Sequence, residues 1–304
     1  MKLDDEAIAT ILRAVQQRLA ADAVREAHAQ AHSAPTRAPS SDLACDGDAG
    51  HACTASPRPV HSVREPVYEA MLPRLVQATS SQIAVGHSGL RFRTDLYLRV
   101  REGHADARDA VHSHVAPEWP VANNLIALKT RCHDKREYLL YPNQGRRLDD
   151  LSRSIVSTHA QTRPDVQILV GDGLSPNAIT QNGARTLAAI TEAIQREGWR
   201  IGVGFYVEYA RIGVADEVGV LVGARATVML VGERPGLGTG DSLSVYIAIA
   251  PRLDQDNAEK NCISNVRPIG IAPSEAAEQT VQILRRGFET GVGGVALGLG
   301  WGRR

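Results

Sequence analysis

The feature that most constrains the fold is the rhythm that begins after Pro164. Val166 to Val170 (VQILV) is an apolar run of the kind a buried parallel strand needs. The loop Gly171-Asp172-Gly173 follows it, and Ser175-Pro176 reads as a helix N-cap with proline at the first helical position. Asn177 to Glu197 carries the helix, which Gly198 ends. A strand at Ile201–Tyr209, a short helix at Val214–Val222 closed by Gly223, and a strand at Ala226–Val231 continue the alternation. Leu243–Ala250 is a fourth strand and Pro273–Phe288 a closing helix. This succession predicts an α/β fold with an open parallel sheet of Rossmann-like character over residues 161–304.

Upstream the pattern is different. Residues 61–160 read as a mainly helical N-terminal domain. Glu65–Ala78 has helical apolar spacing with a break or kink expected at Pro73. Thr94–Val100, Ala105–Val115 and Asp149–His159 also read as helices, and Asn124–Cys132 and Glu137–Tyr141 as two strands around the charged turn 133–136. Residues 21–60 are Ala, Ser, Pro, His and Asp with hardly a large apolar side chain, the composition of a flexible linker. Within residues 1–20, Leu3, Ile8, Ile11, Leu12, Val15 and Leu19 form one apolar stripe, with Asp4, Asp5 and Glu6 suited to the helix N-terminus. A tethered amphipathic helix fits a docking peptide or one that packs on its own body, and the pattern leaves both open.

Charge and composition narrow the function. The 34 basic and 34 acidic residues cancel, aromatics are 4%, and no basic cluster interleaves with them, so nucleic acid is a poor partner. No apolar run approaches the roughly 20 residues that span a bilayer, and the acidic N-terminus does not read as a secretory signal. Cys45, Cys53, Cys132 and Cys262 form no C-x-x-C pair or zinc spacing and read as free thiols in a reducing cytosol.

Ligands of open α/β sheets lie beyond the C-terminal ends of the strands. Two glycine loops fall there, Gly171–Ser175 and Gly232–Gly238, with Asp172, Glu233 and Arg234 as their charged residues. Neither matches a dinucleotide or P-loop fingerprint. The glycines fit tight turns as well as ligand contacts, Asp172 fits an Asx turn or cap, and Glu233 and Arg234 fit a local ion pair or a solvated loop as well as a ligand site. His112 and His114 lack further metal ligands nearby, and Cys262 has no adjacent histidine to activate it. No complete catalytic constellation is present.

Several longer motifs carry a resemblance. Val166–Ile179 (VQILVGDGLSPNAI), Val231–Tyr246 (VGERPGLGTGDSLSVY) and Asn261–Asn265 (NCISN), with Pro117-Glu118-Trp119 and Gly145-Arg146-Arg147-Leu148, resemble the small (light) chain of ethanolamine ammonia-lyase over roughly residues 60–288. The resemblance implies a lyase of large and small chains that converts ethanolamine to acetaldehyde and ammonia by radical chemistry with adenosylcobalamin. The substrate site would lie on the large subunit, and the small subunit would cover the cobalamin at their interface. The family's cobalamin contacts carry over to Ile212, at a position that is often valine, and to Glu233 and Cys262. No residue of this chain is implied as a catalytic group or a cobalt ligand. The resemblance also favours the docking reading of residues 1–20, as a peptide that directs a cytoplasmic enzyme to the shell proteins of a bacterial microcompartment. The rivals are a stand-alone nucleotide-dependent enzyme and a purely structural docking subunit.

Overall fold

The computed structural model describes residues 63, 67–78, 83–159, 163–238 and 240–298. The helix and linker read in residues 1–60, with Cys45 and Cys53, lie outside the described residues.

Six strands form the central sheet: β1 (Ile126–Lys129), β2 (Val166–Gly171), β3 (Phe205–Glu208), β4 (Ala226–Gly232), β5 (Leu243–Ile249) and β6 (Lys260–Val266). Their spatial order is β1-β3-β2-β4-β5-β6. The first four pair in parallel, with Leu169 of β2 opposite Phe205 on one side and Met229 on the other. β2 and β4 are buried along their whole length, which is why they read as apolar runs. β5 and β6 then pair antiparallel, Met229 facing Tyr246 and Tyr246 facing Cys262.

The sheet is therefore mixed, which corrects the expectation of a parallel one. A parallel return needs a crossover of about a dozen residues or more. The connection from β4 to β5 spans only residues 233–242 and holds no helix, so β5 turns back beside β4. β6, which contains the NCISN motif, was not expected as a strand. β1 comes from the upstream, mainly helical part of the chain and forms one edge of this same sheet.

Helices cover both faces. α4 (Ala184–Arg196) and α6 (Pro273–Thr290) pack on one side, where Ile190, Ile194 and Leu284 meet Ile168, Val170, Val228 and Ile247. α3 (Asp150–Ser157) and α5 (Val214–Val222) cover the other, where Val156, Val214 and Val218 meet Leu169, Val207 and Met229. Ser175 caps the helical segment leading to α4 by accepting from the Ala178 amide, as its sequence predicts, and a π-turn at Ile179–Gly183 precedes α4 itself.

Three further expectations are overruled. Glu137–Tyr141 is not a strand but most of α2 (Lys135–Leu140). The Asp134 carboxylate accepts from the Glu137 amide at 2.7 Å, and Glu137 accepts from the His133 amide at 2.8 Å. This paired capping outweighs the strand character of the apolar run. The two helices expected between Thr94 and Val115 are one, α1 (Thr94–His112). Pro73 does not kink a helix but lies in the first turn of Leu72–Gln77, where its missing N–H costs nothing.

A buried ion pair pins the antiparallel half. Lys260 at the start of β6 donates to Asp216 of α5 at 2.8 Å, with side chains 2% and 0% exposed. Lys260 also donates to the Gln255 carbonyl at 2.9 Å. Removing one partner leaves a buried charge uncompensated. Asp216→Ala is expected to lower stability by roughly 3–5 kcal/mol in urea unfolding. The double change Asp216→Leu with Lys260→Met should recover most of that loss.

Candidate functional site

A cleft of about 470 Å³ opens across the C-terminal ends of the parallel strands and one face of β5 and β6. Each strand from β2 to β6 contributes. Gly173 and Leu174 follow β2, Ala210, Arg211 and Ile212 follow β3, and Glu233 and Arg234 follow β4. Ser244 and Tyr246 come from β5, Cys262 and Ser264 from β6, and Tyr138 from α2. The three residues singled out by resemblance, Ile212, Glu233 and Cys262, thus line one cleft although they are far apart in sequence.

The floor of the cleft depends on Asp172. This residue is 3% exposed, and its carboxylate accepts from the amides of Tyr209 and Ala210 at 2.9 Å each and from Gly173 at 2.8 Å. It binds the end of β2 to the turn that presents Arg211 and Ile212. Tyr209 holds a left-handed φ of 56° in that turn. The Tyr138 hydroxyl donates to the Ala210 carbonyl at 3.2 Å, and the Arg211 amide donates to the Gly145 carbonyl at 2.8 Å. A Cβ on Gly145 would lie 2.8 Å from both Arg211 Cγ and the Tyr209 carbonyl, so the Gly145-Arg146-Arg147-Leu148 motif fits against this turn only as glycine.

The two glycine loops approach each other. The Leu174 amide donates to the Gly232 carbonyl at 3.1 Å. A side chain on Gly173 would sit 2.3 Å from that carbonyl, and Gly173 has a φ of +62°. One on Gly232 would sit 2.1 Å from the Ser175 carbonyl. These glycines permit the loop–loop contact, and both also line the cleft. The β4–β5 loop is held further by Asn182, which donates to the Asp241 carbonyl at 2.8 Å, and by buried Arg267, which pairs with Asp241 at 3.3 Å.

Glu233 does not pair with Arg234. Its Oε2 accepts from the Ser242 hydroxyl at 2.5 Å, and its Oε1 accepts from the Ser244 hydroxyl at 2.5 Å and the Asn265 amide at 2.9 Å. A carboxylate has about four acceptor positions, so these donors fix its orientation and leave one position for a ligand donor. The Cys262 thiol lies 3.8 Å from the Ser244 hydroxyl. Removal from water pushes its pKa up, and the Glu233 carboxylate pushes the same way, while contacts with Tyr246 and Ser244 oppose them. A thiol shifted in this direction stays neutral near pH 7. Ser244, Tyr246, Tyr138 and Arg211 had not been singled out as site residues. Strand alternation puts Ser244 and Tyr246 on one face of β5, but the neighbour that makes it a cleft wall is β6, which the sequence did not reveal.

With this geometry in hand, the comparison with known families is decisive. The model of the ethanolamine ammonia-lyase light chain (EutC) matches residues 69–298. The chain belongs to this family. As a light chain it is part of a lyase complex of ethanolamine catabolism and implies a large-subunit partner. No helix among the described residues is long and apolar enough to cross a membrane.

Burial pushes the Asp172 pKa up to about 6, against the two turn amides and Lys135. A carboxyl whose folded pKa is raised contributes stability that is largest below about 4 and declines as pH rises through about 6. Asp172→Ala in the light chain leaves three amides unpaired and should cost roughly 2–3 kcal/mol at neutral pH. In urea unfolding, the gap to wild type should widen as pH falls from about 6 to about 4.

Proposed function

We propose that this light chain covers adenosylcobalamin at its interface with the large subunit of an ethanolamine ammonia-lyase, which splits ethanolamine into acetaldehyde and ammonia. The observation that carries the reading is the convergence of Ile212, Glu233 and Cys262 on one open cleft. The chemistry of these groups suits a corrinoid. Its rim bears primary amides, and Glu233 offers a fixed carboxylate with one acceptor position left. Ile212 offers a branched apolar surface, and the neutral Cys262 thiol is small and polarisable.

Size supports a shared site. Pockets that enclose a drug-sized molecule run to about 300–1,000 Å³, and a cobalamin is considerably larger than a drug. A cleft of about 470 Å³ makes one wall of such a site, with the opposite wall supplied by the large subunit. When bound, the cofactor would supply the radical by homolysis of its cobalt–carbon bond. The light chain's residues would bind, orient and shield it from water.

The test is co-expression of both chains and assay with ethanolamine and adenosylcobalamin. Turnover should require both chains, and full activity of either chain alone would overturn the reading. Glu233→Ala should raise the cobalamin dissociation constant of the assembled complex about tenfold, the size of one hydrogen bond to a charged acceptor. An unchanged constant by equilibrium dialysis would remove Glu233 from the contact.

Residues 1–20 fit a docking peptide for microcompartment shell proteins, joined through the linker 21–60 to the upstream part 61–160 and the sheet-bearing part 161–304. Deleting residues 1–20 is expected to leave turnover intact and to abolish co-sedimentation with shells. Lost turnover would instead assign the segment to the enzyme itself.

A further inference from the structure

The cleft holds positive charge that Glu233, Ile212 and Cys262 do not account for. The Arg211 guanidinium carbon lies over the Tyr138 ring, 4.1 Å from its centroid, and its Nη2 donates to the Tyr138 carbonyl at 2.9 Å. Arginine carries five N–H donors. Here Nε is shielded without a partner, and Nη1 makes no hydrogen bond among the described residues. Lys135 approaches the same ring, its Nζ 5.0 Å from the centroid, and makes only a long 3.5 Å bond to the Gly173 carbonyl. Neither cation forms an ion pair with a described residue.

Two like charges sharing one tyrosine repel each other, and burial lowers the Lys135 pKa with Arg211 adding to the effect. Asp172 and, less strongly, Glu208 offset part of this, but three amides already occupy the Asp172 oxygens. Glu233 is the only carboxylate among the described lining residues, which also include the cations Arg211 and Arg234. Its oxygens are bound by serines and an amide. Two arginines against this one carboxylate make the lining complementary to an anion.

We propose that Arg211 recognises a phosphodiester of the ligand, its outer guanidinium edge binding the phosphate in the nucleotide tail of the corrinoid. This rests on the cofactor reading above. The amides on the corrin rim are neutral, so the tail phosphate is the cofactor's one anionic substituent. The planar fork of arginine matches two phosphate oxygens, which a lysine head would not. The Tyr138 ring and carbonyl hold the guanidinium in place, and Lys135 adds a second positive charge near the same ring.

The experiment compares two coloured corrinoids on the assembled two-chain complex by equilibrium dialysis. Cyanocobalamin has the nucleotide tail and dicyanocobinamide lacks it. Arg211→Met should weaken cyanocobalamin binding on the order of 10- to 100-fold, the range of a charge-assisted hydrogen bond. Binding of dicyanocobinamide should change less than about twofold. Equal weakening of both would make Arg211 a structural support of Tyr138, and no weakening of either would remove it from the site; both outcomes overturn the proposal. If Arg211→Met does not assemble, the wild-type complex provides the second measurement. Raising sodium chloride should weaken cyanocobalamin more than dicyanocobinamide because salt screens the phosphate contact. Equal salt dependence would overturn the proposal. A wild-type complex that binds neither corrinoid would overturn the cofactor reading itself, an outcome distinct from loss of the arginine contact alone.

Discussion

The carboxylate of Asp172 is the anchor on which the cleft depends. It sits at the end of the central strand, out of reach of water, and accepts three backbone amides. Two of them belong to the turn after β3, whose backbone bends through a left-handed tyrosine. Without an acceptor there, those amides would be buried unpaired, and the turn would have no reason to hold its shape. Arg211 and Ile212 extend from this turn, and the glycines on either side of Asp172 let the neighbouring strand ends close around it.

The antiparallel addition then turns an ordinary strand-end crevice into a wall. β5 and β6 carry Ser244, Tyr246, Cys262 and Ser264 on one face, continuous with the loops of the parallel half. Glu233 joins the two parts because its oxygens accept from β5, from the loop before it and from β6. The buried Lys260–Asp216 pair fastens the start of β6 to α5. Buried pairs of this kind often add little net stability, yet they penalise any alternative register that separates the charges. The wall is open on one side, consistent with the proposed sharing of a large cofactor with a partner chain.

Much of the fold was legible in the sequence. β2 and β4 announced themselves as apolar runs because both their faces are covered. The helices around them carried their own stops, Ser175 at one start and Gly223, in a left-handed conformation, at one end. β6 was not legible, since an edge strand written Lys-Asn-Cys-Ile-Ser-Asn-Val buries only Lys260, Ile263 and Val266. The apolar residues of α2 suggested a strand, and the caps at Asp134 and Glu137 decided otherwise.

The sequence by itself determined the α/β alternation and the family motifs, and by resemblance it pointed to Ile212, Glu233 and Cys262, because these are properties of local pattern or of likeness along the chain. Only the tertiary structure decided that β5 reverses beside β4 and that the glycine loops pack on each other. It also decided that Glu233 answers two serines and an amide rather than its neighbour Arg234, and that Arg211 and Lys135 both approach the ring of Tyr138. Each of these depends on which distant backbone comes within a hydrogen bond's reach, and that follows from strand order and register rather than from spacing in sequence.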